Sequence, residues 1–93
     1  MKTIEAARHA MEHGCSLMRA RKGTAHEWDV KEAFSGSKRG WFYMDTLTAS
    51  MLVAVYEALK GSERMSQEEA RAKFNRIPLT RLIDFGWKHA KAA

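Results

Sequence analysis

Residues 45–60, Asp-Thr-Leu-Thr-Ala-Ser-Met-Leu-Val-Ala-Val-Tyr-Glu-Ala-Leu-Lys, decide the reading of the fold, because the longest apolar run of the chain, Met51 to Tyr56, lies inside them. On a helical wheel Leu47, Met51, Ala54, Val55 and Ala58 share one face, and Leu52, Tyr56 and Leu59 widen it beyond the usual amphipathic stripe. Such a helix wants neighbours on more than one side. Asp45 suits its N-cap, since a carboxylate there accepts a bond from an otherwise orphaned N–H, and Gly61 can adopt the left-handed conformation that closes a last turn.

On the N-terminal side, Ile4, Ala7, Met11, Cys15 and Met18 recur at helical spacing and predict a first helix from Thr3 to about Lys22. Gly14 costs that helix about 1 kcal/mol relative to Ala, which is offset if a second helix approaches closely there. Arg19, Arg21 and Lys22 complement the negative end of its macrodipole, and Gly23 stops it. Thr24-Ala-His-Glu27 has the form of a capping box. Residues 28–34 fit a short helix or a strand about equally, Ser35-Gly-Ser-Lys-Arg-Gly40 is a loop, and Trp41-Phe-Tyr-Met44 is too apolar to stay in water. The last of these is either a short strand paired back onto 28–34 or an irregular lead-in to the central helix.

On the C-terminal side, Ser66-Gln-Glu-Glu69 is a second capping box and opens a short helix through about Phe74. Pro78 bars helix across Ile77 and suits the first turn of a final helix with Leu79, Leu82, Ile83, Trp87 and Ala90 on its apolar face. Gly86 falls within that face and implies a close packing partner. Phe85 sits off it, towards the polar side. The sum is a mainly α fold: one domain over 1–93, a bundle of four to five helices around the central helix at about 45–60, with a short β-hairpin in 25–44 left open.

Ninety-three residues bury roughly 60–70 % of their unfolded surface, enough for one core but not for a core plus a deep catalytic cavity. The formal charge is +5, from 16 Lys and Arg against 11 Asp and Glu, which favours acidic partners without singling out nucleic acid. Cys15 is the only cysteine, so no intramolecular disulfide forms and a reducing cytoplasm is the expected setting. The first residues do not read as a signal peptide, and no apolar run approaches the ~20 residues of a membrane span.

His9-Ala-Met-Glu-His13 has the H-x-x-E-H order of inverted zinc peptidases, in which two histidines bind the metal and the glutamate activates water. Here His9, Glu12 and His13 fall on a solvated helix face, and Cys15, His26 and His89 have no spacing that completes a site. The expectation is therefore no catalytic residue, no metal and no cofactor. Lys38-Arg-Gly-Trp-Phe-Tyr43 interleaves bases with aromatics, a composition shared by phosphate-and-stacking sites and by protein-binding hot spots. Lys38, Arg39, Trp41 and Tyr43 are accordingly the first candidates for partner binding. Residues 66–91 resemble a helix-turn-helix in outline and offer Arg71, Lys73, Arg76, Thr80, Arg81 and Lys88 to DNA, although no glycine stands at the turn.

Asp45-Thr-Leu-Thr-Ala-Ser and Val55-Tyr-Glu-Ala-Leu59, followed by Ala72-Lys-Phe-Asn-Arg-Ile-Pro-Leu-Thr-Arg-Leu-Ile-Asp-Phe-Gly-Trp-Lys88, resemble a pattern in small bacteriophage and prophage proteins of no settled function. Residues 1–40 take no part. The resemblance implies a mobile-element origin and a helical fold, and it transfers no catalytic or binding residue. Small accessory phage proteins commonly act by binding. The expected function is thus a non-enzymatic binding protein that engages a host protein or a second copy of itself, with DNA binding through 66–91 as the alternative.

Overall fold

The expected first helix is two elements. In the computed structural model, which describes residues 1–23, 27–33, 38–61 and 65–92 and, of 89–92, the backbone alone, helix α1 spans Thr3–His13 and ends at Gly14. Gly14 has a φ of +94°, in the region that favours glycine, and a Cβ there would meet nothing within 4 Å. Its role is a change of direction, not the close helix contact its position suggested. Strand β1, Ser16–Ala20, follows at once. Residues 24–26 of the expected capping box and 35–37 of the loop expected over 35–40 lie outside the described residues.

Strands β2, Trp28–Glu32, and β3, Phe42–Met44, complete a three-stranded antiparallel sheet of order β2-β1-β3. Both runs are extended, but the hairpin between them does not form: Met18 of β1 lies between them, paired with Val30 on one side and Phe42 on the other. The fold is therefore mixed α/β, four helices and three strands among the described residues, and not the mainly α bundle expected. Physically, a lone two-stranded hairpin is marginal in water, and the central strand recruited from 16–20 gives it the third partner it needs.

Helix α2, Thr46–Lys60, is capped as expected, with the Thr48 N–H donating to Asp45 Oδ1 at 2.6 Å. Gly61 ends it at φ −73°, without the left-handed turn. Helix α3, Gln67–Arg76, begins where the Glu69 N–H donates to Ser66 Oγ at 3.2 Å. Ile77 is extended before Pro78, whose carbonyl accepts from Arg81 and Leu82 to start helix α4, Leu79–Ala92.

Helices α1, α3 and α4 all pack against α2, and α1 also packs on β1 and β2. The core joins Ile4, Ala7 and Ala10 of α1, Met18 and Met44 of the sheet, Leu52 and Tyr56 of α2, Phe74 of α3, and Leu79 and Leu82 of α4. Tyr56 and Phe74 meet edge to face with centroids 5.4 Å apart. Buried Asn75 accepts from the Ile4 N–H at 3.0 Å, which satisfies one of the free donors of the first turn of α1. The broad apolar face of α2 meets neighbours on more than one side but unequally: Ala49, Leu52 and Tyr56 are buried, Met51, Val55 and Leu59 pack against the core half-buried, and Leu47 is 68 % exposed.

Candidate functional site

Two surfaces on different elements bring functional side chains together. The first is a groove of about 800 Å³ between α2 and the α3–α4 pair. Pro78 starts α4 in a direction that sets Leu82, Phe85 and Gly86 opposite Met51, Val55 and Ala58 of α2. Gly86 permits the approach, since a Cβ there would collide with Met51 Sδ, as its place in the apolar face of α4 suggested. Phe85 is 49 % exposed at the side of the groove. Among the described residues the only charged side chains lining it are Lys73 and Arg81, and neither takes part in an ion pair there.

The second surface is the outer face of the sheet. Alternation along β1 sends Ser16, Met18 and Ala20 one way and Leu17 and Arg19 the other. Register then places Leu17 between Lys31 and Tyr43, and Arg19 beside Asp29. Leu17 is 4 % exposed yet does not belong to the main core cluster. Trp41, one residue before β3, lies under two cations: Arg19 Cζ is 4.3 Å from its ring centroid and Lys31 Nζ 4.2 Å. The Tyr43 hydroxyl is held above its ordinary pKa by its hydrogen bond to Cys15, by loss of hydration and by the neighbouring Cys15 and Asp45 charges.

Charge on this face is crowded. The Lys31 ammonium titrates below its ordinary value, first because of its contact with Lys38, then through loss of hydration and through the charges of Lys38 and Arg19. Asp29 on this face is engaged by Arg21 at 3.0 Å and by Arg19 at 3.9 Å, and Asp45, near Tyr43, caps α2 by accepting from the Thr48 N–H. Neither Lys31 nor Lys38 has a carboxylate partner among the described residues.

Of the residues that sequence singled out, Lys38, Trp41 and Tyr43 belong to this face, and Arg39 is exposed in the loop beside it. A helix from Thr3 to Lys22 would put Arg19 in its last turn, whereas strand β1 sets it on the outer face of the sheet with Lys31. The signal that bears on them is Gly14, which interrupts the helical stripe before Ser16–Ala20. Of the six residues offered to DNA, Lys73 and Arg81 share a surface. Arg71 pairs with Glu5 at 3.6 Å, Arg76 bonds its own helix at the Ala72 carbonyl, Lys73 and Arg81 line the groove, and Thr80 and Lys88 are exposed on α4. Helices α3 and α4 pack on α2 with little contact between them, unlike the mutually packed pair of a helix-turn-helix.

His9 and His13 lie with ring centroids 4.6 Å apart, and His9 Nδ1 is 3.4 Å from Ser16 Oγ. Among the described residues no three His, Cys, Asp or Glu side chains are grouped to hold a metal ion; His26 and the His89 side chain lie outside those residues. Nor is any described helix long and apolar enough to cross a membrane. No protein family, curated protein or solved structure matches the chain.

Proposed function

We propose that this chain is a non-enzymatic, cytoplasmic binding module that takes an amphipathic helix of a protein partner into the groove between α2 and α4. The observation that carries the reading is the open apolar seam of α2. Met51, Ala54, Val55 and Ala58 line the groove at helical spacing over about 10 Å, beside exposed Phe85, and exposed Leu47 continues their face one turn earlier. A seam of this kind is the shape in which a helix docks through residues one turn apart. Lys73 and Arg81 add a preference for acidic flanks on the incoming helix. A second copy docking symmetrically on the same groove would oppose these cations to their own kind, so a different protein suits it better. The expected mobile-element origin accords with a small protein that acts by binding.

Selection of a displayed library of helical peptides on the full chain tests the reading. Enriched peptides should be amphipathic with acidic flanks, and they should lose binding to Ala58→Arg, which fills the groove from an exposed position without harming helix propensity. Peptides that bind Ala58→Arg as well as the parent would remove the groove from consideration.

A further inference from the structure

We propose that the outer face of the sheet binds single-stranded nucleic acid, with Trp41 and Tyr43 taking unpaired bases and Arg19, Lys31 and Lys38 holding the phosphates. This site shares no residue with the groove, so it stands or falls independently of the protein-binding reading.

Three observations carry it. No described helix covers this face: α1 packs on the strands from the side of Met18, Trp28 and Val30, which join the core. Trp41, in the bend that leads into β3, meets Arg19 and Lys31 of this face, and Tyr43 in β3 lies across Leu17 from Lys31, so two aromatic rings share the surface. Arg19 and Lys31 lie against the Trp41 ring with Lys38 beside Lys31, and of the acids near the face Asp29 is already engaged by Arg21 and Arg19 while Asp45 caps α2. Lys31 and Lys38 thus lie close together with no carboxylate paired to either among the described residues, an arrangement unfavourable in the free chain and relieved by a bound anion.

The rings decide which polyanion fits. An acidic peptide would satisfy the cations and leave the two platforms unused. A duplex would present phosphates, but its bases are already paired and stacked. A single strand supplies phosphates and free base faces together, and stacking on aromatic side chains is tolerant of sequence.

The test is fluorescence anisotropy of a labelled oligo-dT of about 12 nucleotides with the full chain, repeated with a labelled duplex and with polyglutamate as competitor. The expected result is saturable binding to the single strand that weakens steeply with added salt. Lys31→Gln with Lys38→Gln should lower the affinity about tenfold or more while the melting temperature holds or rises, because the change also removes a repulsion. Trp41→Leu keeps apolar bulk but loses the stacking surface, and should cost about tenfold. Should Trp41→Leu fail to fold, the lysine variants still carry the test. No binding at low salt, unchanged affinity in the lysine double variant, equal affinity for the duplex, or displacement by polyglutamate at equal charge would each overturn the proposal.

Discussion

Leu52 and Tyr56 on one side of α2, and Leu47, Met51 and Val55 on the other, are all residues that a core accepts, yet only the first pair is fully buried. The first side faces α1, the sheet methionines and Phe74 of α3, a continuous apolar wall. The second side faces α4 across a groove, where Met51, let close by Gly86, and Val55 are half-buried and Leu47 is left exposed. A helix with apolar residues over most of its circumference cannot be oriented from its own wheel. What orients it is the surface its neighbours can offer, and here α1 and the sheet together offer more than α4 does.

The largest effect that would break this comparison is in truncation of the two leucines. Leu52→Ala should cost about 2–5 kcal/mol, because a fully buried side chain leaves a cavity that the surrounding core only partly closes. Leu47→Ala should change stability by no more than about 0.5 kcal/mol. Urea unfolding of the two variants beside the parent checks it. Equal losses would mean that something covers the open side of α2 in solution.

A smaller effect sharpens the boundary between the two sides. Gly86→Ala gains roughly 1 kcal/mol of helix propensity but drives a methyl into Met51, at an overpacking cost of about 1–3 kcal/mol. Alone it should therefore lower stability by about 1 kcal/mol, and in a Met51→Ala background it should raise it by a similar amount. A double-mutant cycle reads the change of sign. If Gly86→Ala stabilises the parent, Met51 is not held against α4 and the groove has a different floor.

Sequence carried the punctuation of this fold better than its periods. Asp45, Ser66 and Pro78 mark α2, α3 and α4 by local chemistry, and each acts as that chemistry requires. Cys15 and Met18 misled, because three residues apart they suit a helical stripe, while Met18 suits the inner face of a strand as well. Gly14 was the clue that separates the two, and it was read as a contact when it is a corner. Once 3–22 is taken as one helix, Arg19 and Lys31 cannot be neighbours, so only Lys38, Trp41 and Tyr43 of the sheet-face cluster could be found. The groove was hidden for a related reason: its lining residues were assigned to the core on the assumption that the densest apolar stripe is the buried one.

The smallest expected effect lies far from α2, at the start of the chain, and it tests whether the organising contacts are where the packing puts them. Glu27 accepts from Lys2 Nζ at 2.7 Å and lies 3.4 Å from the Met1 ammonium, and the Met1 carbonyl accepts from the Trp28 N–H at 2.8 Å. The bond to Lys2 is the chief reason that the Glu27 carboxyl titrates below its ordinary value, with the Met1 ammonium adding to it against a loss of hydration. A carboxylate whose folded pKa is depressed contributes stability above its unfolded pKa, and the contribution is lost as pH falls through the folded value. Glu27→Gln should therefore melt slightly below the parent at neutral pH, and the two curves should merge in acid, once pH lies below the folded value of the parent's Glu27. The gap should be small, because these side chains are 27–43 % exposed and water screens the pair. A gap at neutral pH as wide as that of Leu52→Ala would move the organising centre from α2 to the edge where Met1 meets β2.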